Sequence, residues 1–309
     1  APEDSFEFDF RPGGDTRQVG DIARKAKGFF SEASPAPFFL MVNYSDPHWQ
    51  RNGGQGPWFF KDQIAGIPET PLTAKDVQPF PFQGYSAPKH LERIAGYYNA
   101  IQRLDAGVGL LLEELERSGH ANDTLVLFVG DHGPPFARGK TTCYEAGLRV
   151  PFLVRWPGVS GAFASDALVS TVDLLPTILD AAEVEVPKGL QGRSLRPVVA
   201  SPEAPWCEYL VAEFHSHGRS PFFPRRSIRD ARYKLILNLR AGEATPQTGM
   251  DGDPGWNEPR DSKYIDALHE AAYVRWRAPP RIELYDLESD PGELESRARR
   301  LTTPCSTRR

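Results

Sequence analysis

One stretch of the chain decides the fold: residues 124–158, which read TLVLFVGDHGPPFARGKTTCYEAGLRVPFLVRWPG. Its two apolar runs, residues 124–129 and 150–156, are short and continuous, which is typical of strands buried in a sheet. The first run ends at the polar cluster Asp131-His132-Gly133, and Arg138-Gly139-Lys140 follows within ten residues. In doubly wound sheets, ligands bind outside the carboxyl ends of the strands. We therefore expect a ligand site in this stretch.

The flanking sequence alternates between strand and helix patterns. Apolar residues recur at helical spacing from about residue 19 to 30, and again from Lys89 to Gly119 and around 171–182. A further apolar run, Phe38–Tyr44, breaks at Asp46-Pro47-His48. This alternation predicts an α/β fold with a mainly parallel sheet flanked by helices.

The pattern changes near residues 202–205, which are rich in proline. Beyond them, residues 209–214, 226–239 and 282–287 are predicted to be strands, with no helix between them until about residue 290, and 240–262 is predicted to be a loop. We therefore predict a core at 1–204 and a small antiparallel α+β subdomain at 205–309.

Composition excludes two classes of partner. The chain has 309 residues and a net charge of −5, which gives no reason to expect nucleic acid binding. No apolar run approaches the roughly 18 residues needed to cross a bilayer, so no membrane span is predicted. Its three cysteines are odd in number and far apart, so no disulfide framework can be deduced.

Several residues have the chemistry of an anion site. A carboxylate and an imidazole at Asp131 and His132, an ammonium at Lys140 and an imidazole at His48 suit a bound cation that faces an oxyanion. Each of these residues alone is more often a turn former, a cap or a solvated loop residue. From the residues alone, only a hydrolase-like site at the strand ends is predicted.

A resemblance sharpens this prediction. Residues 124–158 strongly resemble the second conserved segment of the sulfatase family, within the alkaline phosphatase superfamily. Residues 38–48, 169–180 and 282–295 resemble further segments of that family. Ser45-Asp46-Pro47-His48, residues 131–136 and Glu213–His217 ahead of Pro224-Arg225-Arg226 resemble its heparan N-sulfatase (sulfamidase) branch. The resemblance implies an alkaline phosphatase-like fold and hydrolysis of sulfate esters or sulfamates, with sulfated sugar or another small sulfate ester as substrate.

The resemblance also assigns roles to residues. Asp131 and His132 match the pair that binds a divalent cation, usually calcium. The second position is often Asn in the family, so His132 leaves magnesium, manganese or zinc open. Lys140 matches the lysine that holds sulfate oxygens, and His48 matches the histidine that protonates the leaving atom. The residues implied at the substrate are His215, His217, Arg225 and Arg226.

Part of the family's machinery does not occur in this sequence. Sulfatases use a formylglycine made from a Cys/Ser-x-Pro-x-Arg motif, and Pro304–Arg308 lacks the proline that this motif requires. The family also has early paired aspartates, and a lysine and a histidine after the nucleophile. The resemblance places all of these in an N-terminal segment before Ala1, so we expect this chain alone to be inactive. It favours a periplasmic, secreted or lysosomal-type location.

Three functions stay open at this stage. The first is a sulfatase acting on sulfated carbohydrate. The second is a phosphodiester or phosphonate monoester hydrolase of the same superfamily, which the Asp-His pair at 131–132 favours. The third is a non-catalytic carbohydrate-binding relative. Upstream coding sequence with a nucleophile motif would support an enzyme, whereas a natural start next to Ala1 would favour binding alone.

Overall fold

The computed structural model describes residues 9–32, 36–52, 55–159, 161–217, 221–246 and 262–298. The chain divides into two compact units. The first comprises residues 1–78 and 88–124, and the second comprises 79–87 and 125–309. The boundary predicted at residue 204 falls inside the second unit, and the division into 1–204 and 205–309 stays a prediction.

Two helices organise the first unit. Helix α1 spans Val19–Glu32 and helix α2 spans Pro88–Arg117, and the two pack against each other. Both agree with the predicted helices. The long loop predicted between them contains a hairpin of β1, Gln50–Asn52, and β2, Gln55–Phe59, which the sequence analysis missed.

The strand predicted at residues 38–44 is wrong. The segment belongs to no sheet among the described residues. Its side chains nevertheless alternate in burial: the ring of Phe38 packs against Phe29 and Phe30, whereas Phe39 and Met41 are 58% and 56% exposed. An apolar run predicts burial, but a strand also requires a neighbouring chain that accepts its backbone hydrogen bonds.

The second unit begins with the stretch that decided the prediction. The two apolar runs form strands as predicted, β3 at Val126–Val129 and β4 at Phe152–Arg155, and the two strands pair antiparallel. The intervening segment holds only the four-residue helix α3, Glu145–Leu148, and no crossover helix. All strand pairings among the described residues are antiparallel, so the expected parallel pairing is not seen within them. Helices α4, Leu174–Ala181, and α5, Arg196–Ala200, follow.

A four-stranded antiparallel sheet forms the C-terminal part, as predicted. Its strands lie in chain order: β5 at Leu210–Phe214, β6 at Arg225–Arg229, β7 at Tyr233–Asn238 and β8 at Ile282–Asp286. The prediction of no helix before residue 290 is wrong, because α6 spans Ala267–Arg277 between β7 and β8. Asp266 caps this helix by accepting from the His269 backbone N–H. Of the predicted loop 240–262, residues 247–261 lie outside the described residues.

In the hydrophobic core of the second unit, the C-terminal sheet packs against the segments on both sides of Lys140. The buried apolar members of this core come from α6, from β7 and β8, from residues just before and after Lys140, and from Tyr85, Ala87 and Ile265. They include Ala137, Cys143, Tyr144, Ile236, Tyr273, Trp276 and Tyr285. In the described part of the chain, no helix is both long and apolar enough to cross a membrane.

Candidate functional site

A compact loop after β3 carries the predicted anion-binding residues. The Gly133 N–H donates to the Gly147 carbonyl over 3.0 Å, and the Lys140 N–H donates to the Pro134 carbonyl over 2.9 Å. A Cβ atom at Gly133 would overlap the Ala146 carbonyl oxygen, and one at Gly139 would press on the Pro134 oxygen. The main chain folds this tightly because both positions lack a side chain.

Lys140 is a buried cation within this loop. The residue is only 6% exposed, and no described residue makes a hydrogen bond or ion pair with its ammonium group. Burial lowers the pKa of Lys140, and the nearby charge of Asp131 acts in the opposite direction. The ammonium group of a largely buried lysine is costly unless an anion or several acceptors surround it. An incoming anion would supply that missing partner.

Asp131 and His132 form a second polar group at the end of β3. The Asp131 carboxylate lies 3.4 Å from His132 Nε2, and 88% of the Asp131 side chain is exposed. His132 Nδ1 donates to the Gly133 carbonyl over 2.7 Å, which fixes the tautomer and makes Nε2 the basic nitrogen. A backbone partner on the second ring nitrogen is the usual arrangement of a metal-binding histidine.

The chemistry of this pair fits part of a cation site. Its carboxylate oxygen suits calcium or magnesium, whereas its imidazole nitrogen suits manganese or zinc. Within the described ranges, no group of three or more His, Cys, Asp or Glu side chains is placed to hold a metal ion. A role for Asp131 and His132 in binding a cation stays a prediction.

His48 lies in the first unit, on a turn held by buried ions. Asp46 is 5% exposed and binds Arg103 of α2 through two contacts of 2.6 and 2.9 Å. Arg17 reaches the same carboxylate at 3.4 Å and donates to the His48 carbonyl over 2.9 Å. The Asp46–Pro47 peptide bond is cis. Two arginines thus fix the backbone that presents the His48 ring.

The His48 ring is itself oriented. Its Nδ1 donates to the Trp49 carbonyl over 2.6 Å, so Nε2 is the basic nitrogen of the neutral ring. The residue is exposed, as an acid–base group must be to reach a substrate. His48 belongs to a different unit from Lys140, so their convergence on one anion stays a prediction.

The predicted substrate residues separate into two environments. The Glu213 carboxylate lies 3.3 Å from His215 Nε2 and 3.6 Å from Arg226 Nε at the exposed end of β5 and β6. Arg225 instead faces the core, is 4% exposed and donates to Thr245 Oγ1 over 2.7 Å. Successive strand residues point to opposite faces, so only one of the two arginines faces solvent. Arg226 is therefore accessible to a substrate and Arg225 is buried, and the substrate role of each stays a prediction.

His217, the fourth of these residues, is exposed in the segment after β5. Its approach to the Lys140 loop, like that of His215 and Arg226, stays a prediction.

Three charged residues that the sequence analysis did not single out lie behind the Lys140 loop. The Glu293 carboxylate accepts from the Glu145 backbone N–H over 2.5 Å. Lys234 Nζ contacts Glu145 at 2.9 Å and Glu293 at 3.3 Å. The sequence signal that could have pointed to Glu293 is the polar turn Asp290-Pro-Gly-Glu293, which lies inside a segment that otherwise resembles the family.

Family models match most of this chain. The sulfatase model matches residues 13–184, and the model of the N-sulphoglucosamine sulphohydrolase C-terminal region matches residues 130–258. The chain therefore belongs to the sulfatase family. Within that family it lies in the sulfamidase-like branch, in agreement with the resemblance found in the sequence.

Individual relatives agree with this assignment. The chain is 31% identical to human N-sulphoglucosamine sulphohydrolase over 96% of its own length and 65% of the relative's. It is 32% identical to an ulvan-active sulfatase of Formosa agariphila over 65% of this chain and 34% of that protein. The chain thus spans under two thirds of the length of each of these relatives.

Solved structures confirm the fold class. A 2-O GAG sulfatase superposes with a TM-score of 0.59 at 20% identity, covering 94% of this chain and 61% of that one. Likeness at this identity establishes the sulfatase α/β fold and leaves the substrate undetermined.

Proposed function

We propose that this chain supplies the sulfate-holding part of a sulfatase whose full protein hydrolyses sulfate esters or sulfamates on sulfated carbohydrate. The observation that carries the proposal is Lys140, which is only 6% exposed and whose ammonium group makes no hydrogen bond or salt bridge with the described residues, although the charge of Asp131 lies near it. A sulfate group presents several anionic oxygens at once and would satisfy the three N–H donors of an ammonium.

Each candidate residue of this chain would have its own role in the reaction. Lys140 would neutralise charge that builds on the non-bridging sulfate oxygens as the bond to sulfur breaks. His48, whose Nε2 is the basic nitrogen, would deliver a proton to the leaving oxygen or nitrogen when protonated. Glu213 would keep His215 and Arg226 together as a polar contact for an anionic sugar.

A divalent cation completes the proposed site. Asp131 and His132 would hold it, and calcium is the metal that the family resemblance favours. A bound cation supplies Lewis-acid polarisation of a sulfate oxygen. The remaining ligands and the formylglycine nucleophile are to be sought in a preceding segment of the full protein, and this chain alone is expected to be inactive.

One observation favours a second candidate. The imidazole of His132 at a metal position suits a phosphodiester or phosphonate monoester hydrolase of the same superfamily. Both reactions place negative charge near Lys140, so the loop geometry serves either one.

Turnover by the full protein tests the proposal. An aryl sulfate, an N-sulfated glucosamine and an aryl phosphodiester would be compared side by side at equal enzyme concentration. We expect kcat/KM to be highest for the sulfate ester or the sulfamate. A kcat/KM that is highest for the phosphodiester would replace the first candidate with the second, and a metal-replete protein that turns over none of the three would contradict both.

A further inference from the structure

We propose that Glu293 is a positioning residue for Lys140, acting as a clamp that joins both ends of the sulfate-holding loop to the C-terminal turn 290–295. The inference rests on the proposed function, because it assigns a role to a residue that supports Lys140. The hydrogen bond on which the inference depends joins Glu145 to Glu293, which are 148 positions apart in the sequence.

The clamp begins on the N-terminal side of Lys140. Arg138 is 1% exposed and has a φ of 68°, a left-handed conformation that non-glycine residues rarely adopt. Its Nη2 donates to the carbonyls of both Gly292 and Glu293, each over 2.9 Å. Its guanidinium lies 4.8 Å from the centre of the Tyr144 ring. These contacts hold the residue two positions before Lys140 in its left-handed conformation.

The same turn holds the loop on the C-terminal side of Lys140. The Glu293 carboxylate accepts the N–H of Glu145, the first residue of α3. Glu145 then contacts Arg229 at 2.5 Å and Lys234 at 2.9 Å. One residue of the turn therefore contacts the chain two positions before and five positions after Lys140.

The turn has its own internal support. Asp290 Oδ1 and Oδ2 accept the backbone N–H groups of Leu294 and Glu295 over 2.9 and 2.8 Å. Glu293 is 1% exposed and has a φ of 53°, so a second left-handed residue is held at the contact with the loop. Strained backbone of this kind persists where surrounding contacts determine it, often at functional sites.

The Glu293 side chain holds the loop through an ion pair as well as through a hydrogen bond. Its carboxylate shares the buried Lys234 ammonium with Glu145. Removing it would leave the Glu145 N–H without its acceptor and Lys234 with one carboxylate fewer. Both changes loosen the loop at its C-terminal side, whereas Lys140 itself keeps every atom.

The test compares Glu293→Ala, Glu293→Gln and a matched control, Glu295→Gln, in the full protein. Glu295 lies in the same turn, but it is exposed. The first measurement is hydrogen exchange of the amides at 139–145. The second is the affinity for inorganic sulfate, measured by calorimetry. We expect the alanine variant to exchange about tenfold faster and to bind sulfate about five- to tenfold more weakly, the range that one lost hydrogen bond typically produces.

The glutamine variant distinguishes positioning from general stability. Glutamine keeps an oxygen acceptor for the Glu145 N–H, so its exchange and affinity are expected to lie between those of the alanine variant and the wild type. If the alanine variant does not fold, the comparison of Glu293→Gln with Glu295→Gln alone tests the proposal. Loop exchange and sulfate affinity equal to those of Glu295→Gln would overturn the proposal.

The two measurements also separate this inference from the proposed function. A wild-type protein that binds no sulfate contradicts the role of Lys140, while faster loop exchange in the Glu293 variants still supports the clamp. Unchanged loop exchange contradicts the clamp even where wild-type sulfate affinity is high.

Discussion

At the scale of single residues, the candidate site combines one largely buried lysine with two histidines whose rings are oriented by the backbone. Lys140 is withdrawn from solvent, and burial lowers the pKa of its ammonium group. His132 and His48 each use Nδ1 on a backbone carbonyl, which leaves Nε2 as the reactive nitrogen. Neither arrangement contributes much to folding, and both prepare a side chain for an anion or a cation.

Replacing Lys140 tests the oxyanion contact. Lys140→Ala in the full protein is expected to lower sulfate-ester turnover by at least about tenfold, because one lost oxyanion contact typically costs roughly 10²–10³. Steady-state kinetics with an aryl sulfate provide the measurement, and Lys188→Ala, an exposed lysine of the same unit, is the control. Rates close to wild type would remove Lys140 from the site.

Replacing His48 tests proton delivery to the leaving group. His48→Asn is expected to slow hydrolysis of a carbohydrate sulfate by about 10²–10⁴. The loss should be smaller for 4-nitrophenyl sulfate, whose leaving group needs little protonation. The ratio of the two kcat values is the readout, with His120→Asn, a half-buried histidine of the same unit, as the control. An equal loss on both substrates would argue against an acid role.

At the scale of elements, buried charges hold each turn that carries a proposed catalytic residue against a helix or a strand. Arg103 occupies the buried face of α2, between Ala100 and Gly107, where an apolar residue is the usual choice. It binds Asp46 and also donates to the Lys61 carbonyl over 2.9 Å. Helix α2 therefore fixes the turn that carries His48 through an ion pair as well as through apolar packing.

Breaking this ion pair is expected to be costly. Arg103→Met leaves the Asp46 carboxylate buried with one arginine fewer and should reduce the free energy of unfolding by about 3–5 kcal/mol. Urea denaturation gives the measurement. Arg117→Met, on the exposed end of the same helix, should leave it unchanged. Adding Asp46→Asn to Arg103→Met should recover part of the loss, and a purely additive double variant would contradict the coupling.

The titration of Glu293 is expected to make the stability of the folded protein depend on pH. Burial raises the pKa of Glu293 from 4.5 to about 7, with Lys234, the Glu145 backbone N–H and Arg138 opposing the rise and the Glu145 carboxylate adding to it. Relative to the unfolded state, folding therefore favours the protonated carboxyl, and the ionised form that pairs with Lys234 prevails above about pH 7. The contribution of the protonated carboxyl to stability is fully present below about pH 4.5 and is lost as the pH rises through 7.

The change amounts to about 1.4 kcal/mol per pH unit of difference between the folded and unfolded pKa values. Urea denaturation between pH 4.5 and 8 would be compared for the wild type and Glu293→Gln, because other carboxyl groups cancel in the difference. The wild type should lose stability relative to the variant as the pH rises. Parallel curves would show that the Glu293 carboxyl titrates normally.

At the scale of the whole molecule, the sequence predicted what periodicity and local chemistry control. The stripe of apolar residues along α2 and the runs that became β3 and β4 needed no tertiary information. Residues 38–44 lack the ladder that their apolar character suggested, because pairing depends on another chain segment. Helix α6 was missed because only Ala272, Tyr273 and Trp276 are buried along its 11 residues, which gives a weak pattern.

The site was predictable to the same degree. Asp131, His132 and Lys140 lie within one short loop, and their types and spacing predicted a hydrolase-like site there, to which the family resemblance added the individual roles. The Glu145, Lys234 and Glu293 network joins three distant segments, and no periodic signal connects them. The opposite faces of Arg225 and Arg226 follow from strand alternation, but which of the two faces the core depends on the sheet's packing.

The tight main-chain contacts around Gly133 have a consequence for which substitutions selection would tolerate. In a saturation library selected for activity, codons at Gly133, Gly139 and Gly147 should return only glycine, because a methyl group at each would displace neighbouring main-chain atoms. A methyl group at Gly20 or Gly109 would meet no atom within 4 Å, so both positions should accept alanine freely. Alanine recovered as often at Gly133 as at Gly109 would mean that this loop relaxes around an inserted methyl group.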